Sequence, residues 1–153
     1  MSSNYCEECQ HYYLGNLVAK FGEPVGATET QIRKFEADRQ IKLPKAYRQF
    51  LRWMGDDRHG VFKGSEWFLS DIDLNNELLP ELLHENSVAV DLSDQYICFF
   101  SHQGYMAAWF FLSDNLENPI CYFFSETVGG DASVSTCHFD EFVLSELQHA
   151  VAS

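Results

Sequence analysis

Residues 95–100 read Gln-Tyr-Ile-Cys-Phe-Phe, residues 105–112 read Tyr-Met-Ala-Ala-Trp-Phe-Phe-Leu, and residues 119–124 read Pro-Ile-Cys-Tyr-Phe-Phe. Aromatic and β-branched side chains dominate all three runs, which is strand composition. The first connection, Ser101-His102-Gln103-Gly104, has hairpin length with Gly at its end. The second, Ser113 to Asn118, is polar. The spacing therefore predicts a three-strand antiparallel meander. Both parities of the second and third runs are apolar, so the sheet is expected to be covered on both faces. Ten of the 23 aromatic residues of the chain fall in 96–124, which places the core there.

Helical signals flank the meander. Thr28-x-x-Gln31 is a capping box, followed by Ile32 and Phe35 on one face, and the pattern ends near Gln40. Pro44 suits the first helical position. Tyr47, Phe50, Leu51 and Met54 follow the spacing of a core-facing stripe, with Lys45, Arg48 and Arg52 opposite and Gly55 as the expected left-handed terminator. Short strands are expected around Val61–Lys63, Glu66–Ser70 and Val88–Val90. Leu78, Leu79, Leu82 and Leu83 predict a short buried helix whose start Pro80 limits. Residues 127–136 read as a polar loop. Asp140 caps a last helix, with Phe139 and Leu144 as a staple.

At 153 residues and 46% hydrophobic content, the chain has enough apolar side chains for its own core and too many for intrinsic disorder. No apolar run approaches a membrane span. The start shows no basic segment followed by an apolar one, so no signal peptide is expected and the cytoplasm is the expected location. Residues 1–27 read as an N-terminal extension and 28–153 as a single domain.

Charge is divided unevenly along the chain. All ten Lys and Arg residues lie between Lys20 and Lys63, while residues 64–153 carry fifteen acids and no Lys or Arg. Phosphate contacts need cations, so this part excludes nucleic-acid binding, and an anionic membrane surface for the same reason. A basic protein partner fits it.

Catalytic signatures are absent. There is no Gly-x-Ser-x-Gly elbow, P-loop or dinucleotide fingerprint. Ser101-His102 and Cys137-His138 are mere sequence neighbours. Cys6-x-x-Cys9 has metal-ligand spacing on one side only and is a weak candidate; a structural zinc needs four ligands. No metal and no cofactor is expected, and the chain reads as a non-enzyme.

The order of these signals resembles the SUKH superfamily of fungal cell-wall-assembly regulators and bacterial toxin-immunity proteins. The matching residues are Ile32-x-x-Phe35-Glu36, Leu43-Pro44-x-x-Tyr47-Arg48-x-Phe50-Leu51, and Phe99-Phe100-x-His102-Gln103-Gly104-Tyr105. Trp109-Phe110-Phe111, Asn118-Pro119-Ile120 and Phe139-Asp140-Glu141-Phe142 follow in order. The Cys-rich start, and Gly55-Asp56-Asp57 at the turn, depart from the family pattern. The resemblance implies an α+β fold, with two N-terminal helices and a C-terminal helix packed on a twisted, mainly antiparallel sheet. Leu43, Pro44, Tyr47, Phe50 and Leu51 are then structural. It also implies binding of a cognate protein toxin, which the charge argument makes basic and suggests is a nuclease domain. Contact candidates are the loop acids Asp71, Asp73, Asp91, Asp94, Asp114, Glu117 and Asp131, with Trp67 and Tyr105 as aromatic anchors. The rival readings are a regulatory scaffold of the same fold and a small-molecule or metal-binding domain.

Overall fold

The computed structural model describes residues 4–126 and 134–152. Its centre is a four-strand antiparallel sheet in the order β1-β2-β3-β4, formed by Tyr96–His102, Met106–Phe111, Ile120–Ser125 and Val134–His138. The expected meander is β1 to β3. Gln103 and Gly104 both take positive φ (48° and 76°) between β1 and β2, the backbone that a tight hairpin requires. β4 falls partly where a polar loop was expected; the rest of that stretch, residues 127–133, lies outside the described residues. As an edge strand with mostly exposed side chains, β4 carries no apolar alternation to read.

The sheet is covered on both faces, as its composition requires. Ala108, Phe110 and Cys121 point into the larger core, and Cys98, Ala107, Trp109 and Phe124 into a smaller one. A bulge between Cys98 and Phe100 breaks the alternation of β1. It lets the consecutive Phe99 and Phe100 both enter the larger core.

On that face lie α1 (Glu7–Asn16), the short α2 (Val18–Phe21), α3 (Glu29–Arg39), α4 (Lys45–Met54) and α6 (Phe139–Ala152). The capping box of α3 is formed by Thr28 and Gln31, and Gln40 ends the helix at φ 54°. α4 starts one residue later than its sequence suggests, with Pro44 as the N-cap. Its free N–H groups are met by the connection between β2 and β3: Lys45 donates to the Leu116 carbonyl and Ala46 to that of Glu117, both at 2.8 Å. Gly55 takes φ −64° rather than a left-handed conformation; its role is room, since a Cβ there would come within 2.5 Å of the Leu51 carbonyl oxygen. Tyr47 and Phe50 are fully buried, with their rings against Phe139; Tyr47 also touches Phe99 and Phe110.

The first residues are integral to this core. Cys6, Cys9, Tyr13 and Leu17 are buried in it, the Tyr13 hydroxyl donates to the Gly22 carbonyl (2.7 Å), and α1 lies along α6.

Three expected strands are absent among the described residues. Val61–Lys63 is turn, Glu66 makes an isolated bridge to Ser101, and Val88–Val90 is irregular. Residues Leu69–Asp71 form a 3₁₀ turn that leads into α5 (Ile72–Glu85). α6 begins at Phe139, one residue before the expected cap, with Glu141 accepting from the His138 N–H at 2.9 Å.

Candidate partner-binding surface

α5 is a fourteen-residue helix with Pro80 inside it, not a short one begun by it. Ile72, Asn75, Leu79, Leu82 and Leu83 form its buried stripe. Leu79, Leu82 and Leu83 pack on Cys98, Ala107 and Trp109 of the sheet's outer face. The helix also covers the free edge of β1, where the Asn76 side-chain oxygen accepts from the Cys98 N–H at 2.7 Å.

Its opposite side faces solvent. Glu77, Glu81 and Glu85 recur once per turn and are exposed, and the helix holds no Lys or Arg. Beside them Leu74 and Leu78 are 54% and 41% exposed. Acids flanking two exposed leucines on one rigid helix supply both steering charge and apolar contact area. Between α5 and the β1–β2 turn runs a groove of about 240 Å³. Leu78, Leu79, Leu82, Met106 and Ala107 line it, and Glu81 and Glu85 border it. At its base Ser101 donates to the side-chain oxygen of buried Asn75 (2.8 Å), whose amide donates to the Glu66 carbonyl (3.0 Å). Both polar groups are therefore satisfied, and the base is rigid.

Five of the ten cations gather elsewhere. Arg33, Lys42, Lys45, Arg48 and Arg52 line an open cleft of about 960 Å³ beside α3 and α4. Much of that charge is neutralised within the cleft. Glu29 meets Arg48 at 2.7 Å and Arg52 at 2.8 Å, and Glu36 meets Arg48 at 3.1 Å. The Arg48 and Arg52 guanidiniums hold the Glu29 carboxyl down at about 2.

The residues singled out from sequence do not form one patch. Asp71 accepts from the Phe68 N–H (3.1 Å), and Asp73 is paired with Arg39 at 2.6 Å. Asp91 and Asp94 are exposed before β1, and Ser93 lowers the Asp91 carboxyl by hydrogen bonding. Asp114 accepts from the Ile120 N–H and Glu117 from the Tyr5 hydroxyl, away from α5. Asp131 lies outside the described residues. Trp67 is 1% exposed, packed against Phe50, Phe62 and Phe100, so it is core and no anchor. Tyr105 is half-buried against His102. Leu43, Pro44, Tyr47, Phe50 and Leu51 are all buried. Missed from sequence were Glu77, Glu81, Glu85, Leu74 and Leu78. The recurrence of Glu at every fourth position from 77 to 85 is the signal that could have found them, although Pro80 interrupts it.

Side chains with chemical potential are mostly engaged or quenched. The Cys6 Sγ donates to the Ala46 carbonyl and Cys9 to that of Asp140. Burial first, then nearby anions, pushes both thiols up to about 12, far from a nucleophile's range. Burial likewise pushes Cys98 up to about 12. His102 shares a 2.7 Å hydrogen bond with Ser65, not with its neighbour Ser101. Among the described residues no group of three or more His, Cys, Asp or Glu is placed to hold a metal ion, and no helix is long and apolar enough to cross a membrane.

None of the curated proteins compared matches this sequence. The profile of the SMI1 / KNR4 family (SUKH-1), however, matches residues 26–145, from the turn before α3 into α6. That span holds the buried Leu43–Leu51 motif, the bulged aromatic sheet and α5, and the chain belongs to the SMI1/KNR4 (SUKH-1) family.

Proposed function

We propose that this chain is a non-enzymatic immunity protein, acting in the cytoplasm of the producing cell by binding and neutralising a cognate toxin. The SUKH superfamily includes toxin-immunity proteins, and the family match is the first support. The observation that carries the reading is the solvent face of α5: Glu77, Glu81 and Glu85 beside exposed Leu74 and Leu78, in a half of the chain with no Lys or Arg. Such a face suits a cationic partner of which part is apolar. A nuclease domain is one, because its cleft must hold phosphates. The inhibitor then offers carboxylates where the substrate would offer phosphates, and long-range attraction speeds encounter.

The test is co-expression with the product of the adjacent gene. Rescue of growth and co-purification of the pair support the reading. Replacing Glu77, Glu81 and Glu85 together by Lys is expected to abolish rescue while leaving the isolated chain folded. A neighbour that is harmless alone and does not co-purify would favour a scaffold role.

A further inference from the structure

Cys121 in β3 and Cys137 in β4 are directly opposed in the antiparallel register, so their side chains share one face of the sheet. Both are free thiols; Cys121 is buried and Cys137 is partly exposed. Two residues further on, the Phe139 N–H donates to the Pro119 carbonyl at 3.0 Å. The alternation of the ladder therefore makes Cys121–Cys137 a hydrogen-bonded pair, with Cα atoms about 5.5 Å apart. That separation lies inside the disulfide window of roughly 4.4–6.8 Å. The Cβ atoms of such a pair, about 5 Å apart, must close slightly to bridge. β4 is an edge strand with mostly exposed side chains, so it is the strand free to make that adjustment.

We propose that Cys137 is a thiol-modification site for small-molecule disulfides, and that Cys121 is its resolving partner. The Cys137 thiolate attacks one sulfur of the reagent; the reagent's S–S bond breaks and one thiolate leaves. The product is a mixed disulfide on Cys137. The Cys121 thiolate then attacks the Cys137 Sγ, and the second half of the reagent leaves as thiolate. In balance, the two protein thiols lose two protons and two electrons, and the reagent takes them up as two thiols. The bridge ties β4 to β3 just before α6 begins. Its slightly wide geometry makes it readily reduced, so the modification is reversible. Burial, then Glu141 and Asp140, raises the Cys137 thiol, and burial raises Cys121 further. Exchange is accordingly slow at neutral pH and faster in mild alkali. None of this depends on the identity of the toxin.

The experiment is incubation of the reduced full chain with oxidised glutathione at mildly alkaline pH, then intact mass and peptide mapping. A Glu-specific protease suits this chain, because residues 64–153 offer trypsin no Lys or Arg. Cleavage after Glu117, Glu126 and Glu141 puts Cys121 and Cys137 on separate peptides. The expected result is loss of two hydrogens from the intact chain and a linked pair of peptides 118–126 and 127–141. Dithiothreitol should reverse both. Cys121→Ser should stop at a stable glutathione adduct on Cys137, and Cys137→Ser should yield neither product. Unmodified Cys121 and Cys137 in the treated, folded protein would overturn the proposal, as would Cys137 mapped to Cys6 or Cys9.

Discussion

The Tyr96 hydroxyl donates to the Asn76 carbonyl at 2.9 Å, and that carbonyl is the one Pro80 leaves without a helical donor. A strand of the sheet thus repairs a defect in the helix packed against it. Burial holds the Tyr96 phenol neutral, as a donor should be. Removing the hydroxyl by Tyr96→Phe is expected to cost about 1 kcal/mol. In a Pro80→Ala background the restored N–H reclaims the carbonyl, so the same change should cost measurably less. Urea unfolding of the four proteins gives the coupling. Additive effects would contradict the repair.

The fully buried Tyr47 behaves in the opposite way. Its hydroxyl has no hydrogen-bond partner among the described residues. Tyr47→Phe removes an unsatisfied polar group and keeps the ring contacts with Phe99, Phe110 and Phe139. Stability is expected to be unchanged or higher by about 1 kcal/mol. A substantial loss on thermal melting would show that the hydroxyl is satisfied in solution.

Gly26 lies against the end of α4: a Cβ there would stand 1.7 Å from the Arg52 carbonyl oxygen. The obstacle is backbone, which no rotamer change relieves. Gly26→Ala should destabilise by roughly 1–3 kcal/mol, read as a lower midpoint of thermal unfolding.

The ion pairs of the α3–α4 cleft set a pH dependence. Glu29 is depressed from 4.5 to about 2 by Arg48 and Arg52. A depressed carboxyl stabilises fully above its unfolded pKa, and the contribution is lost as pH falls from 4.5 towards 2. Solvent screening keeps it below about 1 kcal/mol. Glu29→Gln should flatten that segment of the acid-unfolding curve and lower stability by up to about that amount, below about 1 kcal/mol, at every pH above 4.5.

Local signals were the legible ones. Thr28 and Gln31 announce the start of α3 within four residues, and the aromatic runs announce β1 to β3, because the physics sits in adjacent side chains. What escaped depends on distant partners. Pro80 argues against a helix until Tyr96 is known to serve Asn76. β4 holds its place by pairing with β3 along its backbone, so its exposed Ser135 and Thr136 look like loop. Trp67 looks available as an anchor in sequence, and is closed in by Phe50 and Phe100 from two other elements. The candidate surface was missed for the first of these reasons: without α5 as one helix, Glu77, Glu81 and Glu85 share no face.

The most direct test of an acidic, steering α5 is the association rate of this chain with the adjacent gene's product, measured by stopped flow across ionic strength. The rate should fall steeply as salt rises, and Glu77→Lys, Glu81→Lys and Glu85→Lys combined should slow it at low salt by about tenfold or more. A rate indifferent to salt and to those three reversals would contradict the assignment of α5 as the binding face.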